Sequence, residues 1–539
     1  MRGRINVNRI MQDLLNVGID SIGFYAPRFY IELAELAKAR NVSPNKFEEG
    51  LLLKELRFAD INEDVISLGF HAARIALQRG KINSKEIDGV FVGTETETYA
   101  AKSISNIFTE LLDISPNCLT QDIMNTCASG TLAILDAISL VELGVVTKAL
   151  VIITDIATYE KNSKGEPTQG AGAVALVISK NPRIASFSRS FGKVSGNVDD
   201  FFRLKGEKNA QVFGKYSVKS YLNLQMQAYE NLEKQVGDIN ADYFIFHGPY
   251  ARLPLKLMYK LISKNWIYRI EKKISKYTRF PKPKTLDRIF SKISILPDFI
   301  VDKLAEYTSN SEEMESMKMR LRDVIKNTVL PQLHIPMYFG NMYSASLWAQ
   351  LQYLLESSLK PNDIVYFGSY GSGATCISGL IKINEKYTEI LQNPPTVRDI
   401  MKDKIKKSIQ EYEEIKLNIS HPALTWVKIQ STSTLPGYSL AYCDEGCLLS
   451  PIQGIDYCPK GHSGRNLLIF PSSAKLESVL KPFDNHDLSP LKNGYVLVNG
   501  EPGIGVKLEF ELRRTYSSKE EGGETRGLLN WIPIYNEHS

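Results

Sequence analysis

Residues that form covalent or metal crosslinks are scarce in this chain. Its 539 residues include only six cysteines, seven histidines and four tryptophans. Six cysteines in a chain of this length do not make a disulfide framework, because disulfide-stabilised scaffolds are short and dense in cysteine. We therefore expect reduced thiols and predict a cytoplasmic location.

Two further absences exclude other classes of protein. The 65 Lys and Arg residues nearly balance the 60 Asp and Glu residues, and a net charge of +5 argues against a nucleic-acid-binding surface. No uninterrupted apolar run approaches the ~18 residues of a membrane span, and the first residues contain no apolar core of signal-peptide length. We predict neither a nucleic-acid partner nor a membrane partner. The 43% of apolar residues and the chain length instead predict two to four globular domains.

Short apolar runs alternate with helical stretches over roughly the first 385 residues. Continuous apolar runs of this length are typical of strands covered on both faces, so they predict an α/β fold. The runs lie at 89–93, 149–155, 173–179, 243–247 and 364–368.

Two pairs of segments resemble each other. Residues 88–95 (DGVFVGTE) resemble 242–249 (DYFIFHGP), and residues 125–155 resemble 341–370 at an offset near 215. Similarity that recurs at one offset indicates a duplicated unit. We therefore predict that one α/β half is repeated along the chain.

The predicted domain organisation follows from this duplication. The first domain is expected to span 1–425, with halves at about 16–180 and 240–385 and a mostly helical insertion at about 258–330. Residues 386–420 are highly charged and are interpreted as a solvated helix. Apolar and polar residues then alternate at 506–512, the period of a half-buried strand, so 465–539 is expected to form a small antiparallel barrel or sandwich within a second domain at 426–539.

Cys127 begins the longest apolar helix of the sequence, in the context MNTCASGT (124–131). A thiol at a helix N-terminus lies near the positive end of the helix dipole, which favours the thiolate. The small residues that follow it leave room for a substrate. Cys127 is therefore a candidate nucleophile, and a buried structural cysteine is the alternative.

Glu95 and His247 occupy corresponding places in the two copies. Each follows a buried strand, and strand C-termini are where sites are assembled in layered α/β folds. A solvent-exposed turn residue is the alternative for Glu95, and a structural histidine is the alternative for His247. Their equivalence in a duplicated fold, together with Cys127, favours a shared site.

Motifs distributed in order along the chain resemble one known family. They are VGTET (92–96), NTCASGT (125–131), TDIATY (154–159), GAGAVALVIS (170–179), FHGPYARLPLK (246–256), GNMYSASL (340–347) and FGSYGSG (367–373). Over roughly residues 16–415 the sequence resembles 3-hydroxy-3-methylglutaryl-CoA synthase of the thiolase superfamily. This resemblance implies a duplicated, layered α-β-α-β-α fold and a homodimer.

The resemblance implies a role for each of the three candidate residues. Cys127 corresponds to the nucleophile that takes the acetyl group from acetyl-CoA, and Glu95 to the general base that removes a proton from the acetyl methyl group. His247 corresponds to the residue that holds and polarises acetoacetyl-CoA. A thioester keeps the α-protons acidic enough for a carboxylate to remove one, so the roles are chemically consistent. CoA thioesters are the expected substrates, hydroxymethylglutaryl-CoA is the expected product, and no redox cofactor is expected.

Two loops of the second half are implied to bind the acetoacetyl group. Asn341 corresponds to an amide-bearing position that holds this group, and Tyr343 and Ser372 lie in the same two loops. The backbone amides of Cys127 and Ser372 are candidate donors to the enolate oxygen.

Three further residues are implied to contact the CoA or the acyl group. Arg252 and Lys256 correspond to basic residues on the CoA phosphates, where either cation would supply the charge, and ordinary surface cations are the alternative. Phe202, with its neighbour Phe201, is expected to wall the acyl pocket unless both are simply core residues.

The C-terminal region contains a possible metal site. Cys443, Cys447, Cys458 and His462 form two short knuckles that offer four ligands, as tetrahedral zinc requires. Their x3 spacing is looser than the x2 of common zinc ribbons, so a knuckle without metal is the alternative to structural zinc.

The strands that follow this knuckle resemble the OB-fold half of zinc-ribbon/OB-fold proteins that accompany thiolases. The resemblance implies that residues 426–539 dock an acetoacetyl-CoA thiolase. Two other functions stay open at this point. One is a β-branching condensing enzyme that acts on a carrier-protein-bound β-ketoacyl group, and the other is a non-catalytic scaffold that binds thiolase.

Overall fold

The computed structural model describes residues 14–262, apart from positions 61, 62, 97, 98, 100, 205, 206 and 208, then residues 325–418 and six strands between residues 437 and 534. Within the first half, seven strands alternate with five helices. In chain order they are β1 (Leu14–Tyr25), β2 (Phe29–Glu32), α1 (Leu33–Ala39), α2 (Asn45–Glu48), β3 (Glu55–Arg57), α3 (Val65–Gly80), β4 (Gly89–Gly93), α4 (Ser105–Leu111), β5 (Leu119–Ile123), α5 (Ser129–Leu143), β6 (Lys148–Ile156) and β7 (Ala171–Lys180).

The second half repeats this alternation with additional short elements. They are β8 (Ala185–Ser188), β9 (Gly192–Val198), β10 (Phe201–Phe202), β11 (Gln211–Val212), α6 (Gly214–Val236), β12 (Tyr243–Phe246), α7 (His334–Phe339), α8 (Ala345–Ser357), β13 (Ile364–Gly371), β14 (Gly373–Ile383), α9 (Tyr387–Ile390), α10 (Val397–Lys402), β15 (Ile405–Lys406) and α11 (Ile409–Asn418). Residues 252–262 are also helical, and the rest of the predicted insertion, 263–324, lies outside the described residues.

The sheet order shows the duplication directly. Strands run β5-β4-β6-β7-β1 in the first half and continue as β8-β14-β13-β12 in the second, with β9 beside β14. In the first half β6 pairs in parallel with β4, and the inner pairs β6-β7 and β7-β1 are antiparallel. In the second half β13 occupies the same position from the centre: it pairs in parallel with β12, and the inner pairs β13-β14 and β14-β8 are antiparallel. The halves meet where β1 pairs with β8. The predicted duplicated α/β fold is confirmed.

Three helical layers enclose the two halves of the sheet. Helices α5 and α8 share one buried cluster with inward-facing residues of both halves, whereas α3 covers the outer face of the first half and α6 that of the second. This arrangement is the predicted α-β-α-β-α layering. Buried β-branched residues fill the strands, because a strand covered on both faces has no solvent side.

The two central helices begin in the same way. Thr126 precedes α5 and Tyr343 precedes α8, and each has a φ of 44°. A positive φ in a non-glycine residue is uncommon and is concentrated at functional sites. The repeated backbone turn places both residues at one edge of the molecule.

The central helix α5 has the composition of a membrane span but is a core helix. The segment Thr126–Leu143 is long and apolar enough to cross a membrane by length and composition alone. Its residues Ala133, Ile134, Ala137 and Val141 are fully buried against the sheet. Burial between two layers therefore explains its apolar composition.

The charged segment 386–418 is more than a solvated helix, and that interpretation is wrong for these residues. It contains three helices and a strand, β15, that pairs with β2. Tyr412 and Ile415 of α11 are buried in a cluster with β2, β3 and α1. The charged side chains occupy the exposed face of α11, so composition alone concealed its apolar face.

The described part of the C-terminal region contains six strands in two antiparallel sheets. One sheet has the order β17 (Leu448–Leu449), β16 (Gly437–Tyr442), β18 (Asn466–Pro471), and the other has the order β19 (Gly494–Val496), β20 (Leu508–Glu521), β21 (Glu524–Ile534). Antiparallel strands were predicted here, and the OB-fold and the 426–539 boundary stay predictions.

Candidate active site

The candidate catalytic residues of the first half lie where its strands end. Glu95 follows the end of β4 by two residues, and Asp155 is the penultimate residue of the neighbouring strand β6. Cys127 lies in the turn between β5 and α5. Because β4, β5 and β6 are parallel, their C-terminal ends meet at one edge of the sheet.

The backbones that carry Glu95 and Cys127 approach each other closely. A Cβ atom on Gly93 would lie 2.6 Å from Cα and 2.7 Å from N of Gly130. Strand β4 can therefore approach the start of α5 this closely only because residue 93 is glycine. This contact brings the carboxyl group and the thiol to one site.

The Cys127 turn is also attached to the second half. The Thr126 hydroxyl donates to the carbonyl of Ser372 at 2.8 Å. Gly371 packs so tightly on this turn that a Cβ would lie 2.6 Å from the carbonyl oxygen of Asn125. The site is therefore formed at the junction of the two halves.

Asp155 joins three segments of the site, and the sequence analysis did not single it out. Its Oδ1 accepts from the Thr94 hydroxyl at 3.0 Å, from the Glu95 amide at 2.8 Å, and from the amide and hydroxyl of Thr96. Its Oδ2 accepts from the amide and hydroxyl of Ser344, at the start of α8. Burial raises the pKa of Asp155 to about 6, whereas the bonds from Ser344 lower it. A carboxylate that ends a fully apolar strand was the signal in the sequence that could have identified it.

Glu95 and Cys127 lie within electrostatic and hydrogen-bonding reach of each other. Burial first, and then the charge of Asp155, raises the pKa of Glu95 well above its usual range, while the Cys127 thiol and the Arg203 guanidinium lower it. Arg203 also donates to the backbone carbonyl of Glu95 at 2.7 Å. One carboxyl oxygen of Glu95, Oε2, is buried without a hydrogen-bond partner.

Cys127 is held as a neutral thiol. Burial raises the pKa of Cys127 well above its usual range, and the carboxylates of Glu95, Asp155 and Asp200 raise it further. Desolvation and the three nearby carboxylates oppose the thiolate that the helix start alone favours. Cys127 is 8% exposed, so little of it is accessible from solvent.

Aromatic side chains pack around Cys127. Cys127, Ala157, Tyr159 and Tyr343 form one buried cluster, against which Phe201 packs. The rings of Tyr159 and Tyr343 are 6.4 Å apart, and that of Phe201 is 5.9 Å from Tyr343.

Phe202 lies elsewhere than predicted. Its ring packs at 6.2 Å on Phe213, and it does not belong to the cluster around Cys127. Successive residues of a strand point to opposite faces, so only one of the pair can face the thiol. Of the two phenylalanines expected to wall the acyl pocket, Phe201 packs on the Cys127 cluster and Phe202 packs on Phe213.

His247 follows β12 and lies at the same edge of the sheet as the Cys127 turn. Its amide donates to the carbonyl of Gly368 at 2.8 Å, and Gly371 of the same strand packs on the Cys127 turn. His247 is 1% exposed, and burial lowers its pKa to about 3. It is therefore neutral, and its Nδ1 has no hydrogen-bond partner. A buried imidazole nitrogen without a partner can accept or donate a hydrogen bond to a substrate.

The remaining predicted binding loops converge on the same edge. Asn341 is buried, and its side-chain oxygen accepts from the Tyr343 amide at 3.0 Å. The Ser372 hydroxyl donates to Asp200 at 3.2 Å, as does that of Tyr370 at 2.8 Å. The second oxygen of Asp200 is buried without a partner. Asp200 is a further charged residue of the site that the sequence analysis did not identify.

Arg252 and Lys256 lie on the helical segment that follows His247. The Arg252 guanidinium donates to the carbonyl of Glu49, and its amide donates to that of Leu51 at 3.1 Å. Burial, and then the positive charge of Arg252, lowers the pKa of Lys256. Two cations that face each other form a local concentration of positive charge, which suits a phosphate.

The structure has no metal cluster among the residues it describes. No group of three or more His, Cys, Asp or Glu side chains that could hold a metal ion occurs in residues 14–262 and 325–418. The predicted zinc ligands Cys443, Cys447, Cys458 and His462 lie outside the described residues. A cavity of about 510 Å³ lies at the opposite edge of the sheet, beside Lys148, Lys180 and Arg183, far along the strands from Cys127.

Comparison with known families agrees with this geometry. A model described as "Hydroxymethylglutaryl-coenzyme A synthase N terminal" matches residues 14–183, and one described as "Hydroxymethylglutaryl-coenzyme A synthase C terminal" matches residues 196–434. The chain belongs to the hydroxymethylglutaryl-CoA synthase family.

Individual members of the family cover most of the described fold. Hydroxymethylglutaryl-CoA synthase of Enterococcus faecalis is 28% identical over 403 residues, which are 74% of this chain and 91% of the relative. That of Methanocaldococcus jannaschii is 30% identical over 256 residues, 47% of this chain and 74% of the relative. A solved structure of MvaS in complex with 3-hydroxy-3-methylglutaryl coenzyme A is 25% identical and covers 78% of this chain and 95% of its own, with a TM-score of 0.63.

Proposed function

We propose that the protein condenses acetyl-CoA with acetoacetyl-CoA to hydroxymethylglutaryl-CoA, as a cytoplasmic enzyme of the mevalonate route, with Cys127 carrying the acetyl group. The observation that carries the proposal is the buried pair of Cys127 and Glu95 at the junction of two thiolase-like halves. A member of the same family has been seen with hydroxymethylglutaryl-CoA bound.

The first step exchanges one thiol for another. Cys127 attacks the acetyl carbonyl, and the carbon–sulfur bond to CoA breaks. The proton lost by the Cys127 thiol is matched by the proton on the CoA thiol that is released. A neutral resting thiol suits this exchange, because the thiolate is needed only during attack. Once acetylated, Cys127 no longer carries a thiol proton.

Glu95 then acts on the acetyl group. In its ionised form it removes one proton from the methyl carbon, and the enolate attacks the C3 ketone of acetoacetyl-CoA. The C3 oxygen takes up a proton to become the hydroxyl of the product, which balances the proton that Glu95 removed. The raised pKa of Glu95 makes it a stronger base than an exposed carboxylate. Water finally cleaves the Cys127 thioester, which frees the thiol and the product.

His247 and Asn341 serve the second substrate in this proposal. A neutral imidazole with a free Nδ1 can hold a carbonyl or hydroxyl group without adding charge to the site. Asn341 lies at the start of the neighbouring loop, and its side chain lies within reach of the Tyr159 hydroxyl.

Partial reactions test the mechanism. Exposure to acetyl-CoA alone should add one acetyl group to Cys127, detected as a mass shift that the Cys127→Ala variant lacks. Glu95→Ala should still be acetylated but should not condense, because only proton abstraction from the methyl group needs the carboxylate. An unmodified wild-type protein would favour the non-catalytic scaffold, and condensation only with a carrier-protein-bound β-ketoacyl group would favour the β-branching alternative. If Glu95→Ala condensed at the wild-type rate, Glu95 would be a turn residue.

The proposal extends to the C-terminal region, which we expect to dock an acetoacetyl-CoA thiolase. Tethering the thiolase would raise the local concentration of acetoacetyl-CoA, whose synthesis from two acetyl-CoA molecules is uphill. A chain that ends at residue 425 should then keep its activity on supplied acetoacetyl-CoA but lose thiolase binding and coupled flux from acetyl-CoA. Equal thiolase binding by both forms would contradict this role.

Structural zinc would stabilise this region. Strand pairing places Tyr442 beside Leu448 and Asn466, and the four predicted ligands, Cys443, Cys447, Cys458 and His462, are spaced x3, x10 and x3 along the sequence. Cys and His at such spacing suit zinc, which would fix a unit too small to form its own core. Metal analysis should find close to one zinc per chain, and Cys443→Ser combined with Cys458→Ser should remove it.

A homodimer is supported by the free edge of the sheet. Among the described residues, strand β5 is at one end of the strand order, and Leu119 within it and Met124 just after it are 43% and 60% exposed. An exposed edge strand is suited to pairing with a second copy. Met124→Lys should shift the mass measured by light scattering toward the monomer.

A further inference from the structure

Helix α11 lies against the loop that carries one wall of the active site. Its buried residues Tyr412 and Ile415 pack with β2, β3 and α1, and the Tyr412 ring is 5.1 Å from that of Phe58. The helix is thereby anchored to the catalytic fold. Tyr412 and Lys416, one turn apart on the same helix, also contact the loop 157–170, which joins β6 to β7 and contains Tyr159.

Lys416 and Tyr412 bind this loop through Gln169. The Lys416 ammonium group donates to the side-chain oxygen of Gln169 at 2.7 Å and also to the backbone carbonyl of Tyr159. The side-chain amide of Gln169 donates to the Tyr412 hydroxyl, and its oxygen accepts from the Tyr159 amide at 2.8 Å. Gln169 is 4% exposed, so these polar groups have lost their water and depend on one another.

Gln169 lies between two parts of the active site, Tyr159 on one side and the segment 340–341 on the other. On one side it fixes the backbone of Tyr159, whose ring walls Cys127. On the other side, the preceding residue Thr168 accepts from the Asn341 amide at 2.9 Å, and a Cβ on Gly340 would lie 1.8 Å from the carbonyl oxygen of Gln169. A shift of Gln169 therefore moves both Tyr159 and Asn341.

A second set of contacts, made of ion pairs, holds the same loop. Arg40 binds Glu166 through two bonds of 2.8 and 2.9 Å and reaches Glu413 of α11 at 2.7 Å. Glu413 also pairs with Lys161 at 2.7 Å. Because Arg40 and Glu166 are almost buried, this ion pair is weakly screened and geometrically specific.

We propose that α11 is a positioning element of the active site, in which Lys416 and Tyr412 act through Gln169 to hold Tyr159 and Asn341 beside Cys127. The inference rests on the proposed function, because one of its tests measures kcat of condensation. None of these positioning residues supplies a reacting atom.

Lys416→Ala tests the proposal in the full-length protein, with Lys416→Arg as the conservative variant. The matched control is Glu414→Ala, which removes an exposed side chain of the same helix that pairs only locally with Gln410 among the contacts described. We expect Lys416→Ala to lower kcat of condensation roughly tenfold, because sub-ångström misplacement of a site wall is enough for such a loss. KM for acetyl-CoA and the melting temperature should change little, and Lys416→Arg should recover most of kcat.

Alkylation of Cys127 by iodoacetamide provides a readout that does not depend on the reaction. A loosened Tyr159 wall should increase the rate of Cys127 alkylation several-fold in Lys416→Ala and leave it unchanged in Glu414→Ala. Equal kcat and equal alkylation in Lys416→Ala and the control would overturn the inference, as would a loss of kcat that follows a fall in melting temperature. Wild-type protein that fails to acetylate Cys127 would refute the proposed function, while the alkylation rates would still decide the positioning role.

Discussion

Replacing Gly93 with alanine should separate the two elements that carry Glu95 and Cys127. The new Cβ would lie 2.6 Å from Cα of Gly130, whereas ordinary contact begins near 3.4 Å. The end of β4 and the start of α5 must therefore move apart by about 0.8 Å. The obstructing atoms belong to the backbone, so no side-chain rotation can relieve the contact.

A displacement of this size should be costly for catalysis. Misplacement of reacting groups by about 1 Å lowers rates on the order of a hundredfold, which corresponds to about 2.7 kcal/mol in the activation free energy. We expect the loss in the condensation step, since this step needs Glu95 within reach of the methyl group on Cys127. Acetylation of Cys127, which does not need the carboxylate, should be less affected.

The assay measures acetyl-enzyme formation and overall condensation for the same preparations. Gly89→Ala is the control on the same strand, because its Cβ would meet side-chain atoms of Val146 at 2.8 Å, at the end of β4 remote from the site. Gly214→Ala is a second control, since a Cβ there meets nothing within 4 Å. If Gly93→Ala condensed within threefold of the wild-type rate, while Gly89→Ala was equally or more impaired, the close approach would have no catalytic role.

Three further predictions concern the buried titratable groups His247 and Glu63. His247→Ala should weaken the use of acetoacetyl-CoA far more than acetylation by acetyl-CoA, measured as separate rates, and equal damage to both would indicate a structural histidine. The activity of the wild type should show no titration from His247 between pH 5 and 9, because its pKa is lowered to about 3. Burial also raises the pKa of Glu63 to about 7, so the folded state binds its proton more tightly than the unfolded chain does. This contribution to stability is present below about pH 4 and is lost as pH rises through 7, so the melting temperature should fall from pH 5 to pH 8 by more in the wild type than in Glu63→Gln; identical slopes would contradict it.

The periodicity of the sequence determined the layers of this fold. Runs such as 89–93 and 243–247 are apolar on both faces, and they became strands covered by helices on both sides. The repeated offset predicted the duplication, and the sheet order confirms it. Both patterns are local, so they can be read without knowing which segments meet.

The sequence also identified Cys127, Glu95 and His247 as candidates, and tertiary structure decided their electrostatic states. The helix start alone favoured a thiolate at Cys127, but Glu95 from β4, Asp155 from β6 and burial together raise the pKa of its thiol. Glu95 and Asp155 are 32 and 28 residues away from Cys127 along the chain. Charge interactions depend on distance in space, so no local pattern could give their sign.

The same reason accounts for the positioning elements that the sequence did not reveal. Lys416 and Tyr412 lie in a segment whose composition indicates a solvated helix, and their contacts to Gln169 cross more than 240 positions of sequence. Phe201 rather than Phe202 faces Cys127, a choice set by the strand's orientation. Sequence alone determined which elements form and which residues could react, whereas packing decided which side chains meet and whether they are charged.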